Sequence, residues 1–298
     1  MPKHILTRGD MDGMTASVLL TIAEDIREIR FAHPKDVQDG LVPADKDVIV
    51  VNLPHVQGCG MWFDHHVSEE RKLAEIGKFE GSFKVAPSVA RVIYDHYRHP
   101  GFEKHLALLA ATDRLDSAHL TVEEVRDPKG WILLGLTLDP RTGLGPEFQK
   151  YFRWLVEYAK EVPIEKILQH YEVKKRVERV LKERDEFLAV LKDHAHVEDN
   201  VIVTDFRGFK IEPVGNRFLV FTMFPEAQVE ARIFNGKGGT VVVALGRAIF
   251  NRTLKTNIGD LLAQYGGGGH AGAGTAQLEP AKAEKQLAEI LGVLKKDR

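Results

Sequence analysis

Thiols are almost absent from this sequence. Cys59 is its one cysteine, which excludes an intrachain disulfide and fits a reducing compartment. A charge excess is missing as well: 41 Lys and Arg stand against 43 Asp and Glu, a formal net charge of −2. Long duplex nucleic acid would favour a plainly basic face, and this balance offers none. Short anions stay open as substrates, because charge inside a cleft can depart from the total. No apolar stretch approaches the length that spans a bilayer, and the opening Met1-Pro2-Lys3-His4-Ile5-Leu6 carries no long apolar signal core. Internal repeats and low-complexity tracts are lacking too. These absences leave a cytoplasmic protein with no membrane partner as the expectation. What is present is an ordinary globular composition, 44% hydrophobic and 28% charged over 298 residues, long enough for two domains that each bury a core.

The first half reads as an α/β unit. His4 to Thr7 is a short apolar strand, Gly9 and Gly13 bracket an acidic turn, and Val18, Leu19, Ile22 and Ile26 recur at helical spacing from Met14 onward. Further strands are predicted at Ile29 to Ala32, Val48 to Val51 and Cys59 to Phe63, apolar enough for a parallel sheet covered on both faces. Ligands bind beyond the carboxyl ends of such strands. Asp10, Asp12, Asn52 and the run Asp64-His65-His66 all fall at those ends. Helical patterns follow at Pro87 to Tyr97, at Phe102 to Ala111 (running into Thr112-Asp113-Arg114-Leu115-Asp116) and at Glu147 to Glu161.

Pro163 opens a long charged helix that runs to about His194, about 45 Å at 1.5 Å per residue. Its basic cluster Lys174-Lys175-Arg176 with Arg179 is interleaved with Glu172, Glu178 and Glu183, the pattern of a solvated face. The texture then changes to strands at Val201 to Thr204, Phe218 to Met223, Val229 to Phe234 and Thr240 to Leu245, with a hairpin turn at Asn235 to Gly239. A helix from Ile258 to Tyr265 enters the glycine tract, and an amphipathic helix over Pro280 to Lys295 closes the chain. The division expected is a parallel-sheet domain over 1–162, a connector helix over 163–197 and a smaller α+β domain with a mixed sheet over 198–298, with the site in the cleft between the domains.

Asp10 and Asp12 stand two apart at a strand end, so both carboxylates reach one side while the backbone stays extended. Carboxylate oxygen with imidazole nitrogen suits Mn²⁺, Mg²⁺ or Fe²⁺ over a thiolate zinc site; Mn²⁺ is the cofactor expected, with Mg²⁺ or Co²⁺ as alternatives. An ion there would polarise a phosphoryl oxygen and acidify a water. Asp-x-Asp alone is common in loops, and adjacent histidines occur on exposed turns; it is their joint arrival at strand ends that points to a metal. Downstream, Gly266-Gly267-Gly268-Gly269-His270 lets backbone N–H groups turn toward an anion, with His270 as a further donor; the other reading is a flexible linker. Arg252 is a second candidate phosphate clamp through its forked guanidinium.

Together the Asp-x-Asp-Gly motif at Asp10 to Gly13, the triplet Asp64 to His66, Asp113 and the glycine–histidine tract resemble the DHH phosphoesterase superfamily with its DHH-associated C-terminal domain, in the exopolyphosphatase-like branch. The likeness covers most of the chain in order and spacing. It implies manganese-dependent hydrolysis of phosphodiesters or phosphoanhydrides, as in single-strand exonucleases, nanoRNases, cyclic-dinucleotide phosphodiesterases and exopolyphosphatases. It also implies Asp10, Asp12, His65 and Asp113 as metal ligands. Asp10, Asp64 and His66 are the catalytic candidates, His66 contacting the scissile phosphate and Asp64 orienting a neighbouring histidine. The substrate-binding candidates are Arg8, Asn52, Arg252, Gly267, Gly268, Gly269 and His270.

Two positions depart from that family's pattern. Leu6 and Arg8 stand where a histidine usually precedes the aspartate pair, and Asn52 stands where an aspartate usually bridges two metals. At 4 Å and an effective dielectric of 20, two double charges repel by roughly 16 kcal/mol before ligands screen them, and a neutral amide offsets none of it. The expectation is therefore that Asp12, His65 and Asp113 keep one ion while the Arg8 guanidinium stands where the other would lie; the plainer alternative pairs Arg8 with a surface acid. The leading functional expectation is a metal-dependent phosphohydrolase of exopolyphosphatase type acting on a small phosphorylated substrate. The alternatives are an oligonucleotide or cyclic-dinucleotide phosphodiesterase, and a catalytically weakened phosphate-binding protein. Oligomeric state, a homodimer included, is left open.

Overall fold

A computed structural model describes residues 2–139 and 144–297 of the chain. In chain order the strands are β1 (Lys3–Thr7), β2 (Ile26–Phe31), β3 (Val48–Val51), β4 (Met61–Asp64), β5 (Gly81–Phe83), β6 (Ala195–Glu198), β7 (Val201–Asp205), β8 (Val229–Asn235), β9 (Val241–Arg247), β10 (Gly268–His270) and β11 (Ala273–Leu278). The early helices are α1 (Met11–Ala23), α2 (Pro34–Gln38), α3 (Val67–Glu70), α4 (Leu73–Ile76), α5 (Val89–Tyr97), α6 (Leu106–Asp116) and α7 (Val122–Arg126). The later ones are α8 (Gly130–Gly135), α9 (Pro146–Glu161), α10 (Ile164–Gln169), α11 (Tyr171–His194), α12 (Leu219–Met223), α13 (Ile258–Ala263) and α14 (Pro280–Lys296). The chain divides into two compact units, Met1–His119 with Pro128–Glu178, and Leu120–Asp127 with Arg179–Arg298. The division falls inside α11. No helix among the described residues is long and apolar enough to cross a membrane.

The first unit is built on a five-stranded sheet of order β2-β1-β3-β4-β5 in which every pairing is parallel. Strand side chains alternate between faces, and both faces are covered. Ile5, Ile49, Val51 and Phe63 point into one core with α1, α5, α6 and α9, while Leu6, Val48, Val50 and Trp62 point into a second core with Val37 and Leu53. That double burial explains why β3 is an unbroken apolar run, Val48-Ile49-Val50-Val51, buried at every residue. Helix α1 is buried along its first ten residues, Met11 to Leu20, because it lies within the layered core instead of on the surface. From β1 the sheet winds outward through β2 on one side, and through β3, β4 and β5 on the other. The reversal lies between β1 and β3, so the carboxyl ends of those two strands flank the crevice where open α/β sheets bind ligands.

The second unit holds a six-stranded mixed sheet, β10-β11-β9-β8-β7-β6, parallel only between β7 and β8. Its core gathers Val201, Val229, Ala231, Val243 and Leu245 from the strands with Leu261 and Leu262 of α13 and Leu287, Ile290 and Leu294 of α14. Three expectations are corrected. Phe218 to Met223 is not a strand: Leu219–Met223 is helix α12, with Leu219, Val220, Phe221 and Thr222 buried together. The helix expected from Pro163 to His194 is two helices, broken at His170, whose backbone is extended (φ −65°, ψ 135°). The helix expected from Phe102 begins only at Leu106, because Pro100–His105 is a 3-10 helix, and it runs on to Asp116 as α6.

Candidate metal centre

The site begins where β1 turns into α1. Asp10 caps the helix, its Oδ1 accepting from the Gly13 N–H at 2.9 Å. Gly13 is needed there: a Cβ would meet the Arg8 carbonyl oxygen at 2.1 Å. The same Asp10 Oδ1 accepts from Asn52 Nδ2 at 3.0 Å, and Oδ2 pairs with Arg8 Nε at 3.0 Å. Asn52 closes β3 in the left-handed region (φ 59°) that asparagine tolerates better than most residues, with its own N–H donating to the Phe63 carbonyl at 3.1 Å. Arg8, Asp10 and Asn52 thus converge across the sheet's reversal, and both Asp10 oxygens are engaged.

One residue into the helix beyond Met11, Asp12 is almost wholly buried. Its two oxygens accept from the Val89 and Ala90 N–H groups at 2.8 and 2.9 Å, which have no intrahelical partner because they open α5. Burial, and next the charge of Asp10, push the Asp12 carboxyl up to about 7 against those hydrogen bonds. His65 follows β4. Its Nδ1 lies 3.0 Å from the Ala86 carbonyl oxygen, so that nitrogen carries the proton and donates. The lone pair is left on Nε2, which is buried without a hydrogen-bond partner. It lies 3.5 Å from Asp12 Oδ2 and 3.4 Å from Asp116 Oδ2. Desolvation by the groups crowded around it, and next the charge of Asp12, push the Asp116 carboxyl upward as well, although its side chain keeps 31% of its surface exposed.

Asp12, His65 and Asp116 therefore place one nitrogen and two carboxylates within 4.8 Å of one another. The donor set fits a divalent cation: an orphaned imidazole lone pair faces two carboxylates that repel each other, and a cation would satisfy all three. Asp113, the carboxylate expected from the sequence, is turned elsewhere. Its Oδ1 accepts from Ser88 Oγ at 2.6 Å, and its Oδ2 accepts from Arg91 Nε and Nη2 at 3.0 and 2.5 Å. That pairing steadies the start of α5, which holds Asp12. Asp10 is also drawn off, by Arg8 and Asn52. Asp116 enters the sequence reading only as the end of the helical pattern from Phe102; its signal is the i, i+3 spacing from Asp113, which puts both carboxylates on one face of α6.

Beside the cluster, His66 Nδ1 donates to buried Asp64 Oδ1 at 2.7 Å. Burial works against the charged ring, but this hydrogen bond and the Asp64 charge outweigh it and lift the imidazolium to about 9. Asp64 Oδ2 is buried and unpartnered, and Asp64, His65 and His66 form a second group within 4.8 Å.

The remaining candidates lie in the second unit. Gly268–His270 is the edge strand β10, paired antiparallel with β11, so its N–H groups alternate instead of converging as an anion nest would. Close packing accounts for two of the tract's glycines: a Cβ on Gly267 would meet the Thr275 carbonyl at 2.4 Å, and one on Gly269 the Ala273 carbonyl at 2.2 Å. Gly268 faces open space, His270 is exposed, and Arg252 Nε donates to the Ile249 carbonyl at 3.2 Å.

No family model matches the chain, and no curated protein does. Among solved structures it is similar to a pGpG-specific phosphodiesterase, PggH, from Vibrio cholerae, at 34% identity and a TM-score of 0.87, covering 99% of this chain and 100% of that one. It is similar in fold to a DHH domain described as a member of the s1p family of ribosomal proteins, at 15% identity and a TM-score of 0.58, covering 100% of this chain and 87% of that one. It is similar in fold, too, to RecJ of Thermus thermophilus in complex with Mn²⁺, at 14% identity and a TM-score of 0.50, covering 99% of this chain and 52% of that one.

Proposed function

The chain belongs to the DHH phosphoesterase superfamily with its C-terminal domain, and from that membership we propose that it is a divalent-metal-dependent phosphodiesterase of short nucleotides, with linear dinucleotides such as pGpG as its substrate class. The relative that carries this reading is named for pGpG and matches end to end at 34% identity. The expectation of an exopolyphosphatase gives way here, since it rested on branch resemblance alone and the comparisons favour the dinucleotide. The observation in the chain itself is the His65 lone pair facing Asp12 and Asp116.

Asp12, His65 and Asp116 would hold the ion. When bound, a divalent cation supplies Lewis acidity to a phosphoryl oxygen and makes water a stronger nucleophile. The Ala86 carbonyl keeps the His65 proton on Nδ1, and the Val89 and Ala90 N–H groups fix the Asp12 carboxylate. His66 takes its orientation and its charge from Asp64, which leaves the Nε2–H free to donate to the phosphate and to the departing nucleoside oxygen. Asp64 thereby stabilises the proton that His66 hands over.

The test is a hydrolysis screen of the full chain with Mn²⁺, Mg²⁺ and Co²⁺ over pGpG, longer oligonucleotides, cyclic dinucleotides and polyphosphate, read by chromatography. Conversion of pGpG to GMP, lost in His65→Ala, is the expected result. Release of phosphate from polyphosphate without cleavage of pGpG would contradict it.

A further inference from the structure

Asp10 looks from its position like a metal ligand, yet three donors already engage its carboxylate. Oδ1 receives the Gly13 N–H and the Asn52 amide, and Oδ2 is paired with Arg8. Among the described residues, the histidine and carboxylate groups close enough to hold an ion include neither Asp10 nor any partner of it. A cation added beside Asp10 would also meet the Arg8 guanidinium, a fixed like charge that cannot be titrated away.

The Arg8 side chain, 40% exposed, is anchored only through Nε. Its two terminal nitrogens have no hydrogen-bond partner among the described residues. A guanidinium held at one edge by a carboxylate, with the opposite edge free, is preorganised for bidentate contact with a phosphate. Asp10 is near enough to Asp12 and Asp116 for its charge to act on both, and Arg8, its ion-pair partner, follows β1 at the same strand end.

We propose that Arg8, fixed by Asp10 and Asn52, is a clamp for the substrate phosphate that occupies the place of a second divalent ion, so that the centre takes one ion per chain. The inference rests on the function proposed above and adds the ion count and the residue that grips the phosphate. Asn52 is part of it: an amide donates to Asp10 and keeps that carboxylate oriented toward Arg8, where a second carboxylate would repel it.

The test uses the full chain. Calorimetric titration with MnCl2 alone should give one tight site, a count that needs no variant. Titration of the Mn²⁺-loaded protein with GMP, whose phosphate is the probe, should show binding weakened at least tenfold in Arg8→Gln and partly restored in Arg8→Lys. Two tight Mn²⁺ sites in the parent would overturn the proposal, as would GMP affinity within twofold of the parent in Arg8→Gln. Two sites together with cleavage of pGpG would remove this inference alone; no Mn²⁺ binding and no cleavage would remove the proposed function with it.

Discussion

His65 Nε2 lies 3.4 Å from Asp116 Oδ2, while Asp113, one helical turn earlier on α6, is paired with Arg91. Two aspartates three residues apart thus face different partners, one the His65 nitrogen and one the Arg91 guanidinium at the start of the helix that holds Asp12. Asp116→Asn is expected to weaken Mn²⁺ binding by at least tenfold with little change in the apo fold. Asp113→Asn is expected to leave Mn²⁺ affinity within about threefold and to cost on the order of 1–3 kcal/mol, because the half-buried Arg91 loses its charged partner. Calorimetry and urea unfolding on the pair decide it.

The Asp12 carboxyl is raised from 3.8 to about 7 by burial and by Asp10. A carboxyl raised on folding stabilises the folded chain fully below its unfolded value, and that contribution is lost as pH climbs through the folded one. In EDTA the parent should therefore lose about 2 kcal/mol relative to Asp12→Asn between pH 5 and pH 7, measured by urea melts. Bound Mn²⁺ should reverse the trend, its stabilisation growing over the same interval as the ligands shed protons. Parallel pH profiles for parent and variant in EDTA would count against a buried, proton-holding Asp12.

His66 is charged below about 9 through Asp64. His66→Ala should lower kcat on pGpG by about 10²–10⁴-fold, the range for loss of a general acid, while Mn²⁺ affinity stays within a few-fold. In the parent, kcat should fall as pH rises through the imidazolium's titration. A His66→Ala protein that no longer bound Mn²⁺ would make His66 a ligand instead.

The glycine tract yields a contrast within four residues. Gly269→Ala places a Cβ 2.2 Å from the Ala273 carbonyl and should destabilise the fold by about 1–3 kcal/mol. Gly268→Ala meets nothing within 4 Å and should leave the melting temperature unchanged. If Gly268→Ala nonetheless raises KM for pGpG, the open edge of β10 binds substrate; an unchanged KM confines the tract to packing.

Much of the first unit is legible because burial on both faces of a parallel sheet writes itself as short, wholly apolar strands, Val48 to Val51 above all, with polar groups directly after them. The reach of Asp12, His65 and Asn52 to one edge follows from that regularity. Asp113 and Asp116 share a helical face, and only tertiary contact tells which one Arg91 claims and which one faces His65. Phe218 to Met223 misleads for a different reason: a short run, apolar but for Thr222 and with Leu219 to Thr222 buried together, has no period that separates helix from strand. The glycine tract reads as an anion nest since its composition permits one, whereas register with β11 makes it an edge strand. Arg8 stands out in the sequence as unusual, but the left-handed turn at Asn52, whose amide donates to the same Asp10 that pairs with Arg8, is announced by no sequence pattern.

The account rests above all on where the ion goes, and anomalous diffraction at the manganese edge from crystals of the full chain grown with MnCl2 measures that directly. One peak is expected, about 2.0–2.3 Å from oxygens of Asp12 and Asp116 and from His65 Nε2. A peak coordinated by Asp113, or one beside Asp10 with Arg8 displaced, would contradict it.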